Sequence, residues 1–523
     1  MAYASPWTFS GNSRVDNFIE NMKKTKKVFP MATVPVKDGV TLYQHQIRAF
    51  NIMLAIYGYL DKTDPPAKGS GAALFMDMGT GKSLSALSVT GRLFLDNKIK
   101  CVLIVAPSSV CSVWSSEYGK FAGFPVKVSV LLGTKEKRIK ELTDLLKPTP
   151  KGQKKELRVA VINYESTWRL YDELAAFKPD MIICDESQRI KGHLTKQSKA
   201  MHKLGAIAKY RCILSGTPIQ NDVRDVWSQY KFLAPNVFGC TYPTFVKKYV
   251  RMGGFDSRQY LGVNRVTQAE LMLKIHSIAY RVTKSECLDL PDKIFTDRIV
   301  TLESSARRLY KKLSEQAIAE LSSGGVVKAA NVLTKLLRFQ QIAGGFLSDD
   351  SGNMEIVSTA KLDALQDIIE TYSIEEEKKI VVFARFRPEH DAIIHMVESL
   401  FMKTGLKYVA ICGDTPTTKR EDIINQFQTD PSTRVFIGQI DACAEGITLN
   451  KATTTVYYSV NWNYAKYQQS QDRTHRIGVD GSCHYINLIA AKTIDTMIIA
   501  ALKNKEDISK GIVDGWRKLF LPE

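Results

Sequence analysis

What the sequence lacks narrows it first. No apolar run approaches the roughly 18 residues that a membrane-spanning helix needs, and no basic amphipathic helix stands out, so no membrane partner is expected. The opening residues, Met1-Ala2-Tyr3-Ala4-Ser5-Pro6-Trp7, lack a charged segment followed by an apolar core, which argues against a secretory signal. There are 9 cysteines, scattered and with no Cys-x-x-Cys pair, so they read as small buried residues of a reducing, cytoplasmic setting and not as a disulfide set or a zinc site. The 8 histidines form no ligand cluster, and no short-period repeat is present.

What is present in excess is positive charge. Lys and Arg total 72 against 54 Asp and Glu, a net charge of +18, which fits a polyanionic partner such as nucleic acid. Hydrophobic residues at 44% and charged residues at 24% are those of an ordinary globular protein, and 523 residues are too many for one core, so about two to four domains are expected.

Residues 1 to about 40 are polar, and Lys23, Lys24, Lys26 and Lys27 read either as a solvated tail or as an arm facing nucleic acid. Apolar runs of strand length follow at residues 71–76, 100–105, 158–162, 181–184 and 211–214, with helical segments between them. That alternation predicts a parallel, doubly wound α/β sheet. From Asp225 to about Asn353 helical periodicity takes over. From Lys379 the strand–helix alternation returns, with runs at 380–383, 408–411, 434–437, 455–458 and 485–489. The layout is therefore α/β, helical insertion, α/β. The lysine-rich loop Lys147–Lys155 reads as solvated surface, with nucleic-acid contact as the other reading.

The chemistry centres on Asp77-Met78-Gly79-Thr80-Gly81-Lys82-Ser83, between a strand and a helix. Glycines let backbone N–H groups approach phosphates, and a helix N-terminus favours negative charge. In such a loop Lys82 reaches the β- and γ-phosphates and the Ser83 hydroxyl ligates Mg²⁺, with Gly79, Thr80 and Gly81 forming the cradle. Met76 takes the place of the usual first glycine. Asp185-Glu186-Ser187-Gln188 closes a strand about a hundred residues later. There Asp185 is expected to share Mg²⁺ with Ser83, and Glu186 to orient the attacking water. Ser215-Gly216-Thr217-Pro218 closes the next strand, and its hydroxyls at Ser215 and Thr217 could sense the carboxylates. Arg473 and Arg476 stand three apart, a spacing that places both on one helical face, where they could serve as arginine fingers.

These stretches together resemble the SNF2 family of superfamily 2 helicases, over about Leu42 to Ile498. Leu42-x-x-His45-Gln46 resembles the Q-type motif, residues 77–83 motif I, and Ala106-Pro107-Ser108-Ser109 with Trp114 and Glu117 motif Ia. Asn163-Tyr164-Glu165 resembles motif Ib, residues 185–188 motif II and residues 214–221 motif III. Residues 382–386 resemble motif IV, Ala444-Glu445-Gly446-Ile447-Thr448-Leu449 motif V, and Gln469 to Gly478 motif VI. Val226-Trp227-Ser228-Gln229-Tyr230-Lys231-Phe232-Leu233 to Gly239 and Trp462-Asn463 are the most SNF2-like stretches, although Trp114, Trp227 and Trp462 by themselves read as core aromatics. In this order and spacing their chance occurrence is negligible.

The resemblance implies two RecA-like parallel-sheet lobes in tandem with SNF2-type helical insertions. The expected layout is an N-terminal segment 1–40, a first lobe 41–295 with a protrusion near 225–285, a second lobe 296–499 with an insertion near 303–350, and a brace or tail 500–523. It implies ATP and Mg²⁺ as ligands, adenine reading by Gln46, further nucleotide contacts from Gly446 and Gln469, and nucleic-acid contacts from motifs holding Ser108, Tyr164, Arg385 and Thr448. Gln188, where the family usually has histidine after an alanine or glycine, is expected to couple motif II to Ser215 and Thr217. The chain ends soon after motif VI, so the expectation is a minimal, monomeric motor of bacterial or phage type. Its expected activity is ATP-driven translocation on duplex DNA without sequence preference, with a strand-separating DNA or RNA helicase and an ATP-gated clamp of little turnover as the alternatives.

Overall fold

The computed structural model describes residues 18, 22, 25, 27–60, 70–148, 154–216, 218–219, 222–253, 259–287, 290–322, 329–348, 354–443, 447–476 and 478–503. Thr217, Gly446, Lys23, Lys24, Lys26, the loop residues 149–153 and the tail 504–523 lie outside the described residues. The chain divides into two compact units, Met1–Leu288 and Asp289–Glu523.

The first unit holds β1 (Ser70–Met76), β2 (Cys101–Ala106), β3 (Val126–Val130), β4 (Leu157–Asn163), β5 (Met181–Asp185), β6 (Tyr210–Leu214), β7 (Val250–Gly253), β8 (Gln259–Val263) and β9 (Ala279–Val282). Seven of them form one sheet in the order β3-β4-β2-β5-β6-β1-β9, and every pairing is parallel. Successive side chains of a strand face opposite ways. On β1, Leu74 and Met76 enter one apolar core, while Ala73 and Phe75 enter another. Helices therefore cover both faces, which is why these strands are continuous apolar runs and not alternating ones.

Register then decides where the loops meet. Leu214 of β6 is opposite both Leu74 of β1 and Asp185 of β5. On the other side, Val105 is opposite Cys184 and Ala106 opposite Asn163. The segments following β1, β2, β4, β5 and β6 consequently leave from the same carboxyl edge, the place where open α/β sheets bind ligands.

The stretch expected to be a helical protrusion is mixed. Helices Asp225–Leu233, Tyr242–Tyr249 and Gln268–His276 are joined by the antiparallel hairpin β7–β8, and β9 then rejoins the main sheet beside β1. The hairpin strands are short and only partly buried, so they carry no continuous apolar run to betray them.

The second unit holds β10 (Lys293–Val300), β11 (Phe346–Ser348), β12 (Met354–Ile356), β13 (Ile380–Ala384), β14 (Lys407–Ile411), β15 (Thr433–Gln439), β16 (Thr454–Tyr457) and β17 (Cys483–Ala490). Six form a parallel sheet in the order β10-β17-β16-β13-β15-β14, with β11 and β12 as a separate hairpin. The sheet begins with β10 at Lys293, so residues 293–295, assigned from sequence to the first lobe, belong to the second. Its faces also bury alternate residues, with Val381 and Phe383 in one core and Ile380, Val382 and Ala384 in the other. The α/β architecture with two parallel-sheet lobes is thus present.

Candidate nucleotide site and its links to the neighbouring loops

The phosphate loop starts directly from β1 and turns through Gly79 and Gly81, both left-handed at φ 81° and 82°. Gly81 is also constrained in space, because a Cβ there would stand 2.1 Å from Nε2 of Gln46. Thr80 is fully buried, and its hydroxyl donates to the Asp77 carbonyl at 2.7 Å. The Thr80 carbonyl accepts from His45 Nε2 at 2.7 Å and from Gln46 Nε2 at 3.2 Å. Gln46 also accepts the Tyr43 N–H at 2.9 Å, so its amide fastens the loop to the start of helix Gln44–Ile56. Lys82 opens helix Lys82–Leu95 and donates to the carbonyls of Met76 at 2.9 Å and Asp77 at 3.3 Å. Ser83 follows it, half-buried in the first turn.

Asp185 and Glu186 stand at the end of β5 on the same edge. Both are buried. One Asp185 oxygen accepts the Trp114 indole N–H at 3.0 Å and the other accepts the Glu186 backbone N–H at 3.0 Å. Burial, and next the Glu186 charge, push the Asp185 carboxyl up to about 7, while Lys82 and the Trp114 bond oppose that rise. Glu186 has a left-handed backbone, φ 49° and ψ 56°. For a residue with a side chain that conformation is strained and persists only where the surroundings impose it.

The surroundings do so through two hydrogen-bonded routes. Gln188 donates from Nε2 to Glu186 at 2.6 Å, and its carbonyl oxygen accepts the Ser215 hydroxyl at 2.9 Å. The expected bridge from motif II to motif III is therefore made through Ser215. The second route joins motif II to the SNF2-like stretch 226–239, a pairing the sequence does not reveal. Ser187 donates to Gln229 at 2.6 Å, and Gln229 donates to the Pro218 carbonyl at 2.7 Å. Arg281, on β9, adds a third tie: its guanidinium meets Asp77 at 3.0 Å and donates to the carbonyls of Phe75 and Gly216 at 3.1 Å each. Trp114, part of motif Ia and by itself a core aromatic, is 1% exposed and also a hydrogen-bond donor to Asp185.

The donor set suits a hard divalent cation. A serine hydroxyl and a carboxylate disfavoured by burial are oxygen ligands, and a cation would relieve the charge that raises Asp185. Among the described residues no group of three or more His, Cys, Asp or Glu could hold a metal. A serine hydroxyl and a single carboxylate suit Mg²⁺, which keeps several waters and uses phosphate oxygens.

Two residues expected to face nucleic acid differ from each other. Ser108 is exposed in the turn after β2. Tyr164 is fully buried, and its hydroxyl donates to the Asp185 carbonyl at 2.7 Å. Its side chain offers no surface to a ligand, so it is corrected to a support beneath Asp185.

In the second unit Arg385 follows β13, half-buried. Its backbone N–H donates to both the Glu389 carboxylate at 3.1 Å and the Ser459 hydroxyl oxygen at 2.8 Å, and its guanidinium bonds to Gln340. Arg473 and Arg476 do not share a helical face. Helix Tyr464–Thr474 ends before His475, whose Nε2 donates to the Pro291 carbonyl at 2.7 Å and turns the chain aside. The two arginines still converge, donating to the Ile447 carbonyl at 3.2 Å and 3.3 Å. Arg476 also bonds the Thr448 hydroxyl. Arg473 is 2% exposed, whereas Arg476 is half-buried. Gln469 is buried on the same helix.

The SNF2-related domain matches residues 45–344, and the helicase conserved C-terminal domain matches residues 360–478. An uncharacterized ATP-dependent helicase of Mycoplasma genitalium is 26% identical over 84% of this chain and 40% of its own length. The DNA annealing helicase and endonuclease ZRANB3 of Mus musculus is 27% identical over 84% of this chain and 39% of its own. The chain thus spans about two fifths of the length of these curated relatives. Among solved structures, the Sulfolobus solfataricus SWI2/SNF2 ATPase core in complex with dsDNA is 26% identical, with 93% of this chain and 96% of that one covered and a TM-score of 0.43.

Proposed function

Given that the chain belongs to the family of the SNF2-related domain, we propose that it is a DNA-stimulated ATPase that moves along double-stranded DNA, remodelling DNA structures or displacing bound proteins. The observation that carries this reading is the Glu186–Gln188–Ser215 chain of hydrogen bonds, 2.6 Å and 2.9 Å long, at the edge where the phosphate loop begins. A carboxylate placed for water activation and bonded to the neighbouring loop is what a hydrolase coupled to movement requires.

The residues divide the work as follows. The backbone around Gly79 and Gly81, with the N-terminus of helix Lys82–Leu95, receives the phosphates. Lys82 exchanges its bonds to the Met76 and Asp77 carbonyls for phosphate oxygens. Ser83 and Asp185 would hold Mg²⁺, which would supply charge neutralisation for the transferring phosphoryl group. Glu186 holds and orients the attacking water, and Gln188 fixes the Glu186 carboxylate while it does so. Arg476 is assigned to charge stabilisation of the leaving phosphate. DNA as the track is supported by the net charge of +18 and by the name of the mouse relative. Phosphate contacts carry no base information, so binding is largely sequence-independent and weakens with salt.

The test is ATP turnover with duplex DNA, single-stranded DNA, RNA and no nucleic acid, beside triplex-displacement and forked-duplex assays. Duplex stimulation with triplex displacement and no unwinding is the expected result. Unwinding of the fork would replace the reading with a strand-separating helicase, and binding without turnover would replace it with a clamp. An active Lys82→Ala protein would sink the ATPase assignment altogether.

A further inference from the structure

The segment between residues 225 and 282 leaves the first sheet after β6 and comes back to it as β9, and both of its ends are bonded into the carboxyl-edge loops. At the departing end, Gln229 of helix Asp225–Leu233 is fully buried, accepts the Ser187 hydroxyl at 2.6 Å and donates to the Pro218 carbonyl at 2.7 Å. At the returning end, Arg281 pairs with Asp77 at 3.0 Å and donates to the Gly216 carbonyl at 3.1 Å. The Asp77 carboxylate also accepts the Lys284 backbone N–H at 3.1 Å, and its own N–H donates to the Val282 carbonyl at 3.1 Å. The two ends bond to the nearby carbonyls of Gly216 and Pro218. Ser215, next to Gly216, leads through Gln188 to Glu186.

We propose that the 225–282 segment controls hydrolysis at the nucleotide site, with Gln229 and Arg281 as the positioning residues through which it acts and duplex DNA as the load that shifts it, a regulation that rests on the ATPase reading above. Glu186 adopts a strained left-handed backbone, so its place depends on what holds its neighbours. Ser187, the next residue, is held by Gln229. The Pro218 carbonyl is held by Gln229 and the Gly216 carbonyl by Arg281. Displacing the segment by a fraction of an ångström therefore moves both routes that reach Glu186. The bonds are stiff for different reasons. Ser187 and Gln229 are both fully buried, where a lost partner leaves an unsatisfied polar group. Arg281 brings one nitrogen, Nη1, to a carboxylate and two carbonyls at once, and a lysine side chain ends one bond short of that point.

A continuous chain of bonds does not by itself demonstrate coupling, so the experiment measures coupling. Arg281→Lys and Gln229→Leu are made singly and together in the full chain. ATP turnover and KM are measured with and without duplex DNA, with thermal melting as the check on folding. Nucleotide-induced protection from hydrogen exchange is followed over residues 225–233 and 279–282. Each single variant is expected to lower DNA-stimulated kcat about tenfold, the loss of one or two strong hydrogen bonds, and to reduce the fold-stimulation by DNA. KM for ATP stays within about threefold of the wild type. Because the two anchors hold the neighbouring Gly216 and Pro218 carbonyls, the double variant falls no further than the worse single one. Nucleotide protects both segments in the wild type, and the variants lose that protection. Unchanged fold-stimulation in the single variants, or strictly multiplicative losses in the double, overturns the inference. A wild-type protein that fails to hydrolyse ATP removes the ATPase reading instead. The exchange measurement then decides the inference alone: protection of 225–233 and 279–282 that both variants abolish supports it, and protection that they retain overturns it.

Discussion

Trp114 donates its indole N–H to Asp185 at 3.0 Å, in a part of the first unit where the tryptophan is 1% exposed and the aspartate 6%. With the Glu186 N–H on the other oxygen, the carboxylate plane is fixed before any ligand arrives. A second bond of this kind orients a metal ligand and typically matters about ten- to a hundredfold in metal affinity. Trp114→Phe keeps most of the packing and removes the donor. Its affinity for an ATP analogue in the presence of Mg²⁺ should fall about tenfold, with little change when Mg²⁺ is chelated. Titration of a fluorescent analogue under both conditions measures it. An equal loss with and without Mg²⁺ would mean that the tryptophan supports the fold and not the carboxylate.

The same carboxyl predicts a stability effect with a definite sign. Burial raises the Asp185 value from 3.8 to about 7. The native protein therefore binds this proton more tightly than the unfolded chain. The favourable contribution is complete below about pH 4 and is lost as pH rises through 7. Above that the fold carries the cost of a buried charge. Asp185→Asn removes the cost, so it should raise the melting temperature of nucleotide-free protein at pH 8, by about 5 °C. The gain should shrink steadily toward pH 4. Melting curves across that range check it, and a variant less stable than the wild type at pH 8 would show that the ionised carboxylate is well solvated.

The reach of sequence reasoning is visible in these two residues. Asp185 was legible because its motif is contiguous and follows an apolar strand, and parallel register then carries it to the edge where β1 and β6 also end. Trp114 was quoted in its motif, yet an aromatic in a helix looks the same whether or not its N–H finds a carboxylate. Arg281 carries no signal in the sequence, and Gln229 lies in the SNF2-like stretch 226–239 without any sign there of what it bonds to. Each acts on partners brought near by the sheet and by the return of β9, which neither periodicity nor motif reveals. Tyr164 shows the opposite failure. Its motif suggested a ligand contact, whereas burial decides which side of the loop its ring occupies. The ends of helices were equally hard: the spacing of Arg473 and Arg476 is helical, but the helix stops at Thr474.

Gln188 stands where a histidine is usual in the resembling family, and its geometry explains what the amide offers. It donates to Glu186 and accepts from Ser215 at the same time, at any pH. Gln188→Leu takes a donor from Glu186 and an acceptor from Ser215 in a buried place and should reduce turnover about ten- to a hundredfold while sparing ATP binding. Gln188→His should recover part of the activity and add a step to the pH–rate profile near the imidazole range, about pH 6–7, that the wild type lacks. Steady-state turnover from pH 5.5 to 9 tests both. A histidine variant with the same profile as the wild type would place this position outside the coupling of motif II to motif III.

Arg473 and Arg476 carry the same charge and meet the same Ile447 carbonyl, yet substitution should separate them. Arg473 is almost completely buried, and removing it leaves a cavity and takes one of two donors from the Ile447 carbonyl. Arg473→Ala should therefore destabilise the second unit by about 3 kcal/mol, seen as an early transition in melting, and any loss of turnover would be uninformative about catalysis. Arg476 is half-buried and lies past the helix end, with one bond to a hydroxyl and one to a carbonyl. Arg476→Ala should leave melting within about 1 °C and cut turnover about a thousandfold with ATP binding retained, the scale expected when a charge that stabilises a transferring phosphate is lost. Arg476→Lys should restore little of it, because a compact ammonium does not copy the forked guanidinium. Turnover of Arg476→Ala close to the wild type would remove it from the chemistry and leave both arginines as braces of the Ile447–Thr448 segment.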